Sequence, residues 1–153
     1  MRVNIATTTQ TSRSKGVVMT SIKSPKPRIY KGGCLCGAVR FEAIGPALKP
    51  HTCSCKMCQR HSGSLTTTWV EFPAPSVSWV GEGGVPATYR SSDFSSRAFC
   101  PNCGSSLGAI DDAPVVALVL GVFDKAEYPE LAPTAHSYKG GRPKWWHVEV
   151  KPV

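Results

Sequence analysis

Residues 51–63 read HTCSCKMCQRHSG and place three cysteines, Cys53, Cys55 and Cys58, in one short window. The other four stand in two further tight groups, Cys34 and Cys36 in GGCLCG at 32–37 and Cys100 and Cys103 in FCPNCG at 99–104. A total of seven is odd, so pairing within one chain cannot consume them all as disulfides. As metal ligands they divide well. Four thiolates close a tetrahedral zinc site, and three leave one position open for chemistry.

The spacing assigns each group a part. A Cys-x-x-Cys turn grips a metal from one side, and Gly104 directly after it suits the positive φ such a turn requires. That pair needs a second pair, which Cys34 and Cys36 supply, eased by Gly33 and Gly37 on either side. Cys34, Cys36, Cys100 and Cys103 therefore read as a structural zinc site joining distant parts of the chain. Cys53, Cys55 and Cys58, as Cys-x-Cys-x-x-Cys, read as a second zinc site whose ligands are catalytic. His51 and His61 are the candidates to complete it. Either would close the site, and the preferred reading makes both ordinary hydrogen-bonding residues. A thioredoxin-like dithiol belongs in a βαβ context, and an iron–sulfur cluster wants four thiolates, so neither suits the central three.

The chain of 153 residues is expected to form one domain, with 41% hydrophobic and 18% charged residues. The longest apolar run, PVVALVLGVF at 114–123, is too short for a membrane span and is broken by Gly121. The net charge of +8 invites a nucleic-acid reading, but its location argues otherwise. Seven of the 18 basic residues lie in 1–31, which holds no acid, leaving 11 basic against 10 acidic beyond it. Residues 1–28, rich in Ser, Thr and Pro, are expected to be a disordered basic tail, and 29–153 the zinc domain. Nucleic acid would be held only weakly, through that tail. Clustered free cysteines without a secretory signal point to the cytoplasm, with organelle targeting by 1–28 as the alternative.

From Tyr30 onward the pattern is β. AVRFEA at 38–43 alternates, and LTTTWVEF (65–72), VSWV (77–80), ATYR (87–90), SSLGAI (105–110), VVALVLG (115–121) and WWHVEV (145–150) follow between glycines and prolines. The EGG at 82–84 is expected to connect a hairpin, and Trp146 to be core. One short helix is expected near Lys56–His61, its first turn beside the central cysteines. The fold class is all-β with this one helix.

GGCLCGAVRFE, CSCKMCQRHSG and FCPNCGSSL, in that order, resemble the glutathione-dependent formaldehyde-activating enzyme family, which also includes centromere protein V. The similarity runs from about Tyr30 to Trp146. It implies a zinc-pinned β-tent of several small antiparallel sheets. It also implies two zinc ions per chain, a structural one on Cys34, Cys36, Cys100 and Cys103 and a catalytic one on Cys53, Cys55 and Cys58. The implied activity is carbon–sulfur lyase chemistry, the reversible joining of glutathione and formaldehyde into S-(hydroxymethyl)glutathione.

An open three-thiolate zinc suits either activation of an incoming thiol or polarisation of a carbonyl, and the residues do not separate the two. Glutathione is anionic, so Arg60, Arg97 and Lys56 are its candidate contacts, and Ser62 and Ser64 could offer hydroxyls. The expected partners are a small thiol and a carbonyl compound, with no membrane; oligomeric state is not legible. The alternatives are a non-catalytic scaffold with a basic tail, or a zinc- or redox-sensing protein.

Overall fold

The computed structural model describes residues 27–150. The expected basic tail lies outside the described residues except for its last two. Of these, Arg28 pairs with Glu130 at 2.7 Å and lies 4.1 Å over the Tyr128 ring. Tyr30 donates to the same carboxylate at 2.9 Å; burial, with Glu130 adding, pushes its phenol up to about 12.

The described residues form ten strands and one α-helix. In order these are β1 (Ile29–Gly33), β2 (Arg40–Ile44), β3 (Leu48–Cys53), α1 (Lys56–Ser62), β4 (Thr67–Pro73), β5 (Val77–Trp79), β6 (Ala87–Arg90), β7 (Ser95–Phe99), β8 (Ser106–Asp111), β9 (Val115–Val119) and β10 (Ala135–Ser137). They build two sheets, β1-β2-β5 and β10-β3-β4-β9-β8-β7-β6. The all-β expectation with one helix holds. All pairs are antiparallel except β10 with β3. Among the described residues, no helix is long and apolar enough to cross a membrane.

Successive side chains of a strand point to opposite faces, and that alternation organises the molecule. Phe41 and Ala43 of β2 turn inward from the small sheet; Val70 and Phe72 of β4 and Val116 and Leu118 of β9 turn inward from the large one. Between them lies the main core, completed by Tyr30, Phe123 and Leu131. Within it Phe41 meets Phe123 edge to face at 5.2 Å and 71°, and Phe72 stacks on Phe123 at 6.2 Å and 28°. The intervening residues face the other side of the large sheet. Trp69, Ala109, Ala117 and Val119 there pack with Cys53 and Cys58 in a separate cluster. Cys34 and Cys100 join Val39, Ala98 and Leu107 in a third.

Two expectations fail. EGG at 82–84 closes no hairpin, because β5 pairs with β2 in one sheet and β6 with β7 in the other. Residues 145–150 form no strand despite their alternation. Trp145 is 71% exposed and Trp146 37% exposed, so Trp146 is not core. Its indole N–H donates instead to Thr66 Oγ1 at 3.0 Å. A strand needs a ladder, and among the described residues no ladder includes this segment. Conversely β1, β3, β7 and β10 were not anticipated. Pro50 interrupts the apolar pattern of β3, paired glycines that of β1, and serines and Arg97 that of β7.

The sheets approach closely where glycines permit it. A Cβ at Gly32 would lie 2.2 Å from the Val122 carbonyl oxygen and 2.5 Å from the Phe41 ring, whereas Gly121 has open space. Gly32→Ala is expected to destabilise the fold by about 2 kcal/mol or more, since backbone would have to shift. Gly121→Ala should stay within about 0.5 kcal/mol of the parent in the same urea titration. Phe41→Ala should cost about 3–5 kcal/mol by the cavity it leaves.

Candidate metal centre

The first cluster is built by two tight turns. After β1 the chain turns back through Cys34–Val39, with the Cys34 amide donating to the Val39 carbonyl at 2.9 Å and the Val39 amide to Cys34 Sγ at 3.2 Å. After β7 a second turn closes with the Gly104 amide on the Cys100 carbonyl at 2.9 Å, Gly104 at φ 74°. Ser105 stitches the turns together: its hydroxyl accepts from the Leu35 amide at 3.0 Å and meets Cys103 Sγ at 3.2 Å. The four sulfurs of Cys34, Cys36, Cys100 and Cys103 lie within 4.8 Å of one another. Cys34 and Cys36 are 3.5 Å apart, Cys36 and Cys100 3.8 Å. Four thiolates at about 2.3 Å from one zinc would stand roughly 3.8 Å apart, so the cluster fits that ion.

The second cluster sits where β3 runs into α1. Cys53 ends the strand, Cys55 caps the helix by accepting from the Cys58 amide at 3.4 Å, and Cys58 is buried one turn in. Their sulfurs also lie within 4.8 Å of one another. The loop that carries them is held by residues the sequence did not single out. The Gln59 amide nitrogen donates toward the carbonyls of Ser54, Leu65 and Gly141 at 3.0–3.2 Å. The Ser54 hydroxyl meets Thr66 Oγ1 at 2.8 Å and His136 Nε2 at 2.9 Å. Two of these contacts, Ser54 with His136 and Gln59 with Gly141, span 82 residues of sequence, and no local pattern announces them. Ser62 is structural, its hydroxyl donating to the Cys58 carbonyl at 2.9 Å and meeting Thr67 Oγ1 at 2.7 Å. The Ser64 hydroxyl donates to the Thr66 carbonyl.

Neither histidine joins the three sulfurs. His51 Nδ1 faces the Lys49 carbonyl at 2.8 Å. His61 stacks on Trp69, with centroids 6.3 Å apart and planes 14° from parallel. Burial and the Arg97 charge hold its imidazole below the ordinary range, hence neutral. The hydrogen-bonding reading agrees with the position of His51, whereas His61 packs against Trp69 with its Nε2 buried and unpartnered.

In both clusters neighbouring thiols are shifted in opposite directions. In the first, hydrogen bonds from the Ser105 hydroxyl and amide pull the Cys103 thiol down to about 5. Against the Ala38 amide, bonding with Cys34 and Cys103 pushes Cys36 up to about 11. In the second, burial raises Cys58 and Cys53, while the Cys58 amide draws Cys55 down despite burial. Thiolates so close repel, so ionisation of one thiol disfavours that of its neighbours. A bound divalent cation would reverse that by deprotonating the rest.

The three sulfurs open onto a cleft on the outer face of the large sheet. Its volume is about 250 Å³, and Trp69, Ala109 and Ala117 lie along it. Register places Tyr89, Arg97, Ala109, Ala117 and Glu71 in one row across five strands. The two alanines make the hollow, and Arg97 and Glu71 stand at either side. Arg97 thus lies on the cleft, while exposed Arg60 lines a neighbouring cavity of about 450 Å³ with Met57, His61 and Arg97. Lys56 turns to the Gln59 side-chain oxygen at 3.0 Å.

Residues 29–140 match the family model described as glutathione-dependent formaldehyde-activating enzyme. An uncharacterized lyase of Schizosaccharomyces pombe is 37% identical over 78 residues, 51% of this chain and 55% of that protein, so the match spans about half of that relative. A Halomonas elongata protein, named as a candidate glutathione-dependent formaldehyde-activating enzyme, is 22% identical across 80% of this chain and 83% of its own. Among solved structures, a Rhodobacter sphaeroides protein has the same fold, with a TM-score of 0.53 and 19% identity over 70% of this chain and 99% of that one.

Elemental analysis of the folded protein is expected to find two metal ions per chain. Cys103→Ser should lose one of them and lower the unfolding midpoint by at least ~10 °C, since metal binding there is coupled to folding. Cys53→Ser should also lose one but move the midpoint far less. One ion in the intact parent, or equal damage from both substitutions, would overturn the division.

Proposed function

The chain belongs to the glutathione-dependent formaldehyde-activating enzyme family, and from that premise we propose that it is a zinc-dependent carbon–sulfur lyase. It joins a thiol, glutathione in the first instance, reversibly to a small carbonyl compound such as formaldehyde. Cys34, Cys36, Cys100 and Cys103 hold a structural zinc; Cys53, Cys55 and Cys58 hold a second. The observation that carries this reading is the contrast between the clusters. Four sulfurs converge at the joined turns, whereas three face a cleft, with no fourth Cys, His, Asp or Glu ligand among the described residues.

A zinc ion on three thiolates supplies Lewis acidity, which lowers the pKa of a neighbouring thiol or polarises a carbonyl oxygen. The addition is redox-neutral. The sulfur forms a bond to the carbonyl carbon, the π pair moves to oxygen, and the thiol proton ends on that oxygen. The protein's own contribution is position and dryness. Gln59 and Ser54 hold the cysteine loop rigid, so the sulfurs need little reorganisation. Trp69, Ala109 and Ala117 give the cleft an apolar floor that strengthens electrostatic effects by excluding water. Cys55, with its thiol drawn down by the Cys58 amide, is the sulfur that most readily begins as thiolate. Support also comes from the names of the two relatives, one a lyase and one a candidate enzyme of this family.

Zinc-loaded protein should speed formation and exchange of S-(hydroxymethyl)glutathione above the spontaneous rate, read by NMR exchange spectroscopy. Cys55→Ser should return the rate to the uncatalysed value while the zinc on the four-cysteine cluster stays bound. An unchanged rate with two zinc ions in place would refute formaldehyde activation.

A further inference from the structure

Among the described residues Arg60, Arg97 and Arg142 make no ion pair, and of these Arg97 lines both the three-sulfur cleft and the cavity beside it. Arg28, Arg40 and Arg90 each close on a carboxylate, of Glu130, Asp124 and Asp112. Among the described residues Arg97 has no acidic partner. One terminal nitrogen faces the Met57 sulfur at 2.9 Å, a weak acceptor for so strong a donor. Its Nε is buried with no partner at all. Burying an unpaired donor of this kind is costly unless a ligand satisfies it.

The surroundings share that property. His61 Nε2, Trp69 Nε1 and Ser92 Oγ are also buried without partners and line one or other of the two adjoining cavities, whereas Arg142 Nε, also unpartnered, lines neither. Arg97 lies 5.3 Å from the Trp69 ring centroid, and Trp69 stacks with His61. Two of these orphaned atoms, Arg97 Nε and Trp69 Nε1, can only donate. The larger cavity presents Arg60, Arg97 and Tyr89 and no acid, while the cleft with the three sulfurs begins on the other side of Arg97 and Met57. A planar guanidinium at such a junction is the group that holds a carboxylate through two parallel bonds.

We propose that Arg97 is the carboxylate anchor of the thiol substrate: the site selects thiols that carry a carboxylate, seated between Arg97 and Arg60, while the sulfur end reaches Cys53, Cys55 and Cys58. This inference rests on the reading of the three-cysteine centre as a thiol site. It assigns substrate class to the cavity beside that centre. Carboxylate-free thiols would leave the Arg97 donors unsatisfied and are discriminated against for that reason.

The test uses S-methylglutathione, whose capped sulfur cannot ionise, and its dimethyl ester, titrated calorimetrically into the zinc-loaded full chain. The acid is expected to bind at least ~10-fold more tightly than the diester, and Arg97→Gln to weaken the acid about 10–100-fold without changing the diester. Arg97→Lys, keeping charge without the fork, should recover only part of the loss. Exposed Arg60→Gln, which threatens the fold least, should show a smaller loss of the same sign. Equal binding of acid and diester to the parent, no saturable binding of either, or full retention of acid affinity in folded Arg97→Gln would each overturn the proposal. The two readings fail separately. Arginine-dependent binding without turnover sinks the lyase alone; turnover indifferent to the carboxylate sinks the anchor alone.

Discussion

The alternation of side chains across the seven-stranded sheet constrains everything else in this molecule. Each central strand must serve two faces at once. Along β4, Val70 and Phe72 commit to the core against the small sheet, and Thr67, Trp69 and Glu71 are thereby committed to the other side. The same parity in β9 sends Val116 and Leu118 inward and Ala117 and Val119 outward. A slip of one residue in any of these pairings would exchange core and cleft. The functional face is therefore the obligatory reverse of the hydrophobic one.

That dependence explains why the cysteine groups sit where they do. Both lie at strand ends, where the ladder stops and backbone is free to turn. Cys34 follows β1, Cys53 ends β3, and Cys100 follows β7. The first and last of these ends are brought together by the sheets, and Ser105 bonds across the junction. The middle one is left at the margin of the outer face, where α1 folds back over it. Four sulfurs meeting at a junction suit a closed site. Three at the rim of a cleft suit an open one.

The outer face is also where satisfaction of polar groups is least complete. Arg28, Tyr30 and Glu130 show a side-chain network that closes on itself. Around Trp69 several buried polar atoms of cavity-lining residues are left without partners. Protein interiors rarely leave such groups unpaired, so each exception calls for a partner such as a water, an ion or a ligand. Placement of the small residues Ala109 and Ala117 in the row between Arg97 and Glu71 follows the same logic, since larger side chains would fill the cleft.

The all-β character, the short helix and the division of seven cysteines into four and three were legible in the residues alone. They rest on local things: alternation, spacing of two or three positions, and glycines beside them. Strands β1, β3, β7 and β10 were not legible, because partners rather than propensity make Ile29–Gly33 or Ser95–Phe99 extended. Conversely WWHVEV alternates yet joins no ladder among the described residues. Arg97 could be named from charge, but not placed. Its position beside the three sulfurs depends on the register of β7 on β8, of β8 on β9 and of β9 on β4. By itself, then, the sequence determined which atoms are available for metal and thiol chemistry. Tertiary structure decided which face they share, because register is a relation between distant segments that no local pattern encodes.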